Sequence, residues 1–302
     1  MSTFWQGVLP AITTPFLDTG EVDHAFLAQH VTQMMDAGST GIVPLGSLGE
    51  TATLSVDEKR AVLRTVVAAV AGRGAVVPGV AALATRDAVA FARLAQAEGC
   101  QGLMVLPPYV YSTDWREMKA HVSAVIGATT LPCMLYNNPV AYKTDFTASQ
   151  MKELTEQHPN LVAVKESSAD VRRIAAIKAA MGTRLHILVG VDDLIVEGIA
   201  AGATGWVAGL VNAFPRESIT LFKLARAGRW AEAEPLYHWF LPLLRMDVVP
   251  KFVQLIKLVQ SRVGMGSAAV RAPRLPLAGE ELEQANTTIT LALANKPALP
   301  TC

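Results

Sequence analysis

Short apolar runs rich in β-branched residues alternate along this chain with longer amphipathic segments. The period is about 30 residues, and this rhythm restricts the fold more than any other feature. It predicts parallel strands joined by helices, because parallel neighbours need a crossover of a dozen or more residues. The runs lie at residues 8–13, 41–45, 76–80, 102–106, 132–136, 161–165, 186–190 and 205–209. Roughly eight such units close a TIM-type (β/α)8 barrel. Between them, residues 24–37, 56–71, 86–98 and 169–181 read as helices, the second opened by a capping box of Ser55 and Glu58. Gly38, Gly72, Gly99 and Gly182 stand where these helices should stop.

From Pro215 to about Leu258 apolar residues, Leu236, Phe240, Leu243 and Leu244 among them, recur at helical spacing. The expected organisation is therefore a barrel over residues 1–214 carrying the site, with residues 215–302 as a helical extension completing the same domain. A doubly wound nucleotide-binding sheet is the main rival. It is disfavoured because no Gly-x-Gly-x-x-Gly follows the first run and no phosphate-cradling Gly-Lys-Ser/Thr loop appears.

With 302 residues, 51% of them hydrophobic, the chain can build one large core. Its 26 basic and 26 acidic residues cancel and form no block, which argues against a nucleic-acid partner. Cys100, Cys133 and Cys302 follow no metal or disulfide spacing and read as a reducing compartment. No signal-type segment opens the sequence and no apolar stretch reaches the roughly 18 to 20 residues of a membrane span. The expectation is a soluble, cytoplasmic protein with no membrane partner. Six histidines form no close pair suited to a catalytic zinc, and no Gly-x-Ser-x-Gly elbow supports a serine hydrolase.

In such a barrel the site lies at the carboxyl ends of the strands, so the residue ending each run matters most. The sixth run ends in Lys165, where desolvation lowers the amine pKa and favours the nucleophilic form. Pairing with Glu166 or snorkelling to the rim is the bland alternative. The fifth run delivers Tyr136, a phenol able to shuttle protons or simply to pack, followed by Asn137, Asn138 and Pro139. The second ends Gly46-Ser47-Leu48-Gly49-Glu50, a turn whose backbone N–H groups suit a substrate carboxylate. Ser47 there can bind that carboxylate or pass protons to Tyr136, while Glu50 reads as a brace. Asp192 and Asp193 read as helix caps.

These motifs, in order and spacing, resemble the dihydrodipicolinate synthase and N-acetylneuraminate lyase superfamily along almost the whole chain. Pro10 to Phe16, the glycine-serine loop, Tyr136-Asn137, Lys165-Glu166-Ser167, Gly190-Val191-Asp192-Asp193 and Gly202-Ala203-Thr204-Gly205 carry the likeness. The resemblance implies that Lys165 forms an imine with the substrate, that Tyr136 transfers protons and that Ser47 joins the carboxylate site and relay. It places Gly46, Leu48, Val207 and Asn138 around the substrate and implies no cofactor beyond the covalent imine and no metal. It also implies a homotetramer built as a dimer of dimers.

Departures from the family's name-giving synthase concern its second substrate. Leu48 stands where a second hydroxyl is expected, Val110 in place of a tyrosine reaching across a subunit contact, and Ala141 in place of an arginine, with Lys143 close by. Tyr136-Asn137-Asn138-Pro139, Phe214-Pro215 and the segment Arg271-Ala272-Pro273-Arg274-Leu275 look most like the branch that deaminates 1-pyrroline-4-hydroxy-2-carboxylate. The expected function is thus a Schiff-base lyase of a small 2-oxo acid or its cyclic imine, giving 2-oxoglutarate semialdehyde. An aldolase or dehydratase of 2-oxo-3-deoxy sugar acids, the synthase itself, and a non-enzymatic regulator binding small carboxylates are the alternatives.

Overall fold

The computed structural model describes residues 3–108 and 114–300; Val110 lies outside them. The strands are β1 (Gly7–Pro10), β2 (Gly41–Ile42), β3 (Ala75–Val76), β4 (Gly79–Val80), β5 (Leu103–Val105), β6 (Cys133–Asn137), β7 (Leu161–Glu166), β8 (His186–Val189) and β9 (Gly205–Ala208). All pairings among them are parallel, in the order β1-β9-β8-β7-β6-β5-β4, with β2 beside β3. Parallel bridging of Ala11 with Val43 joins the first strand to the second and closes the barrel. The run expected at 76–80 is two pieces, β3 and β4. Pro78 between them has no N–H to donate, although its carbonyl still accepts from the Met104 amide at 2.9 Å.

Strands buried on both faces explain why the runs are continuously apolar rather than alternating. The surrounding helices are α1 (His24–Asp36), α2 (Val56–Val70), α3 (Thr85–Ala97), α4 (Trp115–Gly127), α5 (Pro139–Tyr142), α6 (Ala148–Gln157), α7 (Val171–Met181) and α8 (Ile195–Ala200). The Ser55 and Glu58 capping box is present at α2. Helices α1, α2, α3 and α7 each stop within two residues of the glycine expected to end them.

After β9 follow α9 (Pro215–Arg226), α10 (Trp230–Leu244), α11 (Phe252–Arg262) and α12 (Gly279–Ala294). The last lies beyond the helical tail read from sequence, because only Ala285, Ile289 and Ala292 of its residues are buried and so narrow a stripe gives little periodic signal. The extension is fastened to the barrel by a buried ion pair of Lys257 with Glu50, 2.6 Å apart. Among the described residues no helix is long and apolar enough to cross a membrane.

Candidate active site

Tyr136 and Lys165 are partners in the register of β6 and β7. A period of two therefore puts both side chains on the same face of adjacent strands. The lysine Nζ lies 4.4 Å from the centre of the phenol ring. Lys165 is only 8% exposed, yet no hydrogen bond or ion pair to its amine exists among the described residues. Burial pushes its pKa below the ordinary lysine value, opposed by the acidic groups of Asp247, Tyr142 and Asp192.

Glu166 is not the partner of Lys165. One residue further along the strand, it faces the other way and accepts from Asn137 Nδ2 at 3.0 Å and the Ser168 amide at 2.7 Å. The lysine stem instead lies over Gly190, where a Cβ would fall 2.6 Å from Lys165 Cε and 2.0 Å from Ser167 Oγ. A larger residue at 190 would push the lysine from its place.

Burial raises the Tyr136 phenol to about 12, against a hydrogen bond from Asn138 that favours ionisation. Asn138 Nδ2 donates to the phenol oxygen at 2.9 Å, and its own carbonyl accepts from the Ala141 amide at 3.0 Å, capping α5. Both polar ends of Asn138 are thus engaged in orienting the site. Short as it is, α5 brings Tyr142 back edge-on to Tyr136, with ring centres 5.7 Å apart. The Tyr142 hydroxyl hydrogen-bonds Ser47 Oγ. Tyr142 thus stands between Ser47, which it hydrogen-bonds, and Tyr136, whose ring lies beside the Lys165 amine.

Sequence reading placed Ser47 next to Tyr136 and missed the tyrosine between them. The available signal was Asn138-Pro139, a cap and first-turn proline that start a helix and return Tyr142 one turn later. Ala141 and Lys143 are exposed, the latter donating to the Val140 carbonyl at 3.0 Å.

The Gly46–Glu50 loop folds back on itself, with the Glu50 amide donating to the Ser47 carbonyl at 3.1 Å. Leu45 and Glu50 flank it in left-handed conformation, at φ 60° and 54°. Leu48 packs into the core, and Gly46 lies against Gly79, so Ser47 is the side chain this loop gives to the relay. Glu50 is the expected brace: beyond Lys257 it accepts from the Arg271 amide at 3.0 Å. Val207 is buried in β9, two strands from Lys165 in the barrel order.

Asp192 does not cap a helix. Buried, it accepts from Trp206 Nε1 at 2.9 Å and from the amides of Gly209 and Leu210 at 3.0 and 2.8 Å, tying the ends of β8 and β9 together. Burial raises its carboxyl to about 6 against those hydrogen bonds. Asp193 lies 3.7 Å from the Arg245 guanidinium. A third acid, Asp247, comes from the 3-10 turn Arg245–Asp247 after α10 and lies on Gly209, where a Cβ would meet its Oδ1 at 2.1 Å. It was invisible in sequence, because nothing local shows that this turn reaches the mouth of the barrel.

A buried amine beside a phenol, at the carboxyl end of a closed parallel barrel, is the arrangement that a lysine-dependent Schiff-base enzyme requires. The chain belongs to the dihydrodipicolinate synthetase family, whose model matches residues 4–292. It is similar to the 4-hydroxy-tetrahydrodipicolinate synthases of Sorangium cellulosum (strain So ce56), 34% identical over 92% of this chain and 93% of the relative, and of Methanococcus maripaludis (strain C5 / ATCC BAA-1333), 29% identical over 95% and 99%. Among solved structures it is similar to the 4-hydroxy-tetrahydrodipicolinate synthase of Methylacidiphilum fumariolicum SolV, with TM-score 0.91, 29% identity and 96% of each chain covered. It is also similar to YagE, a prophage protein of the same family from E. coli K12 in complex with pyruvate, with TM-score 0.89, 26% identity and coverage of 95% and 98%.

Family membership makes the chain a Schiff-base lyase acting on a small molecule, and enzymes of this family use a lysine imine without a cofactor. Among the described residues no group of three or more His, Cys, Asp or Glu could hold a metal ion.

Proposed function

We propose that Lys165 attacks the C2 carbon of a small 2-oxo acid or of its cyclic imine and holds the substrate as a protonated Schiff base. The observation that supports this most is a buried amine, without an ion-pair partner among the described residues, standing 4.4 Å from the centre of a phenol ring. Burial favours the neutral amine, which is the nucleophile. Tyr136 and Ser47, linked through Tyr142, move protons to and from the intermediate. Gly46, Ser47 and Leu48 receive the substrate carboxylate, Val207 lines the pocket, and Asn138 acts by orienting Tyr136.

The substrate assigned is 1-pyrroline-4-hydroxy-2-carboxylate. Lys165 opens the ring by imine exchange, freeing the ring nitrogen as an amine. Loss of a C3 proton and of the C4 hydroxyl as water leaves a C3=C4 bond beside the iminium; proton shifts from C5 to C3 and from the freed amine to C4 then make C5 an imine, and hydrolysis at C2 and C5 releases the lysine, ammonia and 2-oxoglutarate semialdehyde. An open-chain 2-oxo-3-deoxypentonate reaches the same product by dehydration alone. Ala141, small and exposed where the synthase resemblance implies an arginine, supports a substrate with one carboxylate.

The names of the relatives favour a second reading, condensation of pyruvate with an aspartate-derived semialdehyde, and the pyruvate bound by YagE fits its first half-reaction. Borohydride reduction with pyruvate, followed by intact mass, tests the shared step: an adduct mapped to Lys165 is expected, and its absence refutes the proposal. Ammonia release from the cyclic imine, set beside condensation of pyruvate with the semialdehyde, then separates the two substrates.

A further inference from the structure

Two acids flank the site, and they are bonded very differently. Asp192 is saturated by the Trp206 indole and two backbone amides, as a structural carboxylate should be. Asp247 accepts no hydrogen bond and forms no ion pair among the described residues, although it is pressed onto the Cα of Gly209 and partly buried. When ionised it acts on both Lys165 and Tyr136, yet the amine and the carboxyl form no ion pair. Standing at the end of β9, two strands from Lys165 in the barrel order, and unpartnered among the described residues, the carboxyl is available to a substrate held on that lysine.

We propose that Asp247 is the general acid that protonates the departing hydroxyl on C4 of the substrate, which fits the pocket to 2-oxo acids and cyclic imines carrying a hydroxyl there. The step rests on the Schiff-base reading above. The C2=C3 electron pair of the enamine becomes the C3=C4 bond as the C4–O bond breaks. The leaving oxygen takes the Asp247 proton and departs as water, leaving a conjugated iminium on the lysine and a carboxylate at 247, which regains its proton from solvent. Burial, aided by Asp192 and Asp193 and opposed by Lys165, raises this carboxyl well above the usual range and keeps it in the acid form that the step needs.

The experiment separates imine chemistry from elimination. 2-Oxobutyrate, which has C3 protons and no C4 hydroxyl, reports imine formation by borohydride trapping and C3 deuterium exchange by NMR; the 4-hydroxy cyclic imine and 2-oxo-3-deoxypentonate report elimination. In Asp247→Asn, trapping and exchange should stay within about threefold of the wild type while elimination falls about 100-fold or more. Formate should restore part of the elimination in Asp247→Ala, which decides the matter if the asparagine variant does not fold. Elimination within about threefold of the wild type in either variant, or exchange falling in step with elimination, overturns the proposal. A wild type that gives no borohydride adduct overturns the Schiff-base reading itself, and this inference with it.

Discussion

Lys165 stands opposite Tyr136 in strand register, its nitrogen 4.4 Å from the centre of the ring, and among the described residues no carboxylate pairs with it. Burial outweighs the acidic groups of Asp247, Tyr142 and Asp192, so the amine loses its proton at a pH below the ordinary lysine value. The rate of borohydride-trapped adduct formation should rise with pH through that depressed pKa and then level off. Stability follows with a fixed sign. Between the folded pKa and the unfolded value near 10.4, the unfolded chain binds the extra proton, so the wild type gains stability as pH rises. Lys165→Met should abolish the adduct and raise the melting temperature, most at low pH and hardly at all near pH 10.5. A variant less stable than the wild type at neutral pH would contradict the cost assigned to burying this amine.

Tyr136→Phe keeps the ring beneath the amine and removes the hydroxyl. A phenol that burial holds at about 12 is neutral near pH 7, and such a group acts by passing protons rather than by charge. Removing it should lower kcat by about 100-fold or more with KM changed only a few-fold, while borohydride still traps an adduct, more slowly. An unchanged kcat in steady-state assays would remove Tyr136 from the chemistry.

If Ser47 and Tyr142 serve one relay, their losses cannot add. Ser47→Ala and Tyr142→Phe should each slow turnover, and the double variant should be scarcely slower than the worse single. That corresponds to a coupling of about 1 kcal/mol or more in a double-mutant cycle on kcat. Additive losses would mean that the two hydroxyls act separately.

The eight apolar runs that build the barrel, and the placing of Lys165 and Tyr136 at the ends of two of them, were legible because their information is local: apolar runs punctuated by helix signals, and a polar residue at the end of a run. What depends on distant docking was not. Tyr142 reaches Ser47 only because a cap and a proline start a four-residue helix, and Asp247 reaches the mouth only because α10 lies against the barrel. Asp192 looked like a cap since an acid before a helix commonly is one, whereas its acceptor capacity is used by Trp206 and the β9 end. The break at Pro78 was readable in principle, because proline cannot donate to the ladder.

The extension and the Ser47 loop meet at Glu50, and this contact yields an asymmetric expectation. Glu50 has its own supports besides Lys257: the Arg271 amide at 3.0 Å and the Arg274 guanidinium at 3.8 Å. Lys257 has less, the Ala269 carbonyl at 2.7 Å and the Phe16 ring at 4.5 Å. Glu50→Gln strands a buried ammonium and should cost about 3–5 kcal/mol, whereas Lys257→Met leaves the carboxylate partly satisfied and should cost less. Urea unfolding monitored by tryptophan fluorescence would read both as shifts of midpoint at constant slope. Because Glu50 ends the loop that carries Ser47, Glu50→Gln should also lower kcat under conditions where the variant is still folded. Equal midpoint shifts for the two substitutions would show that the brace does not run through Glu50 as the geometry implies.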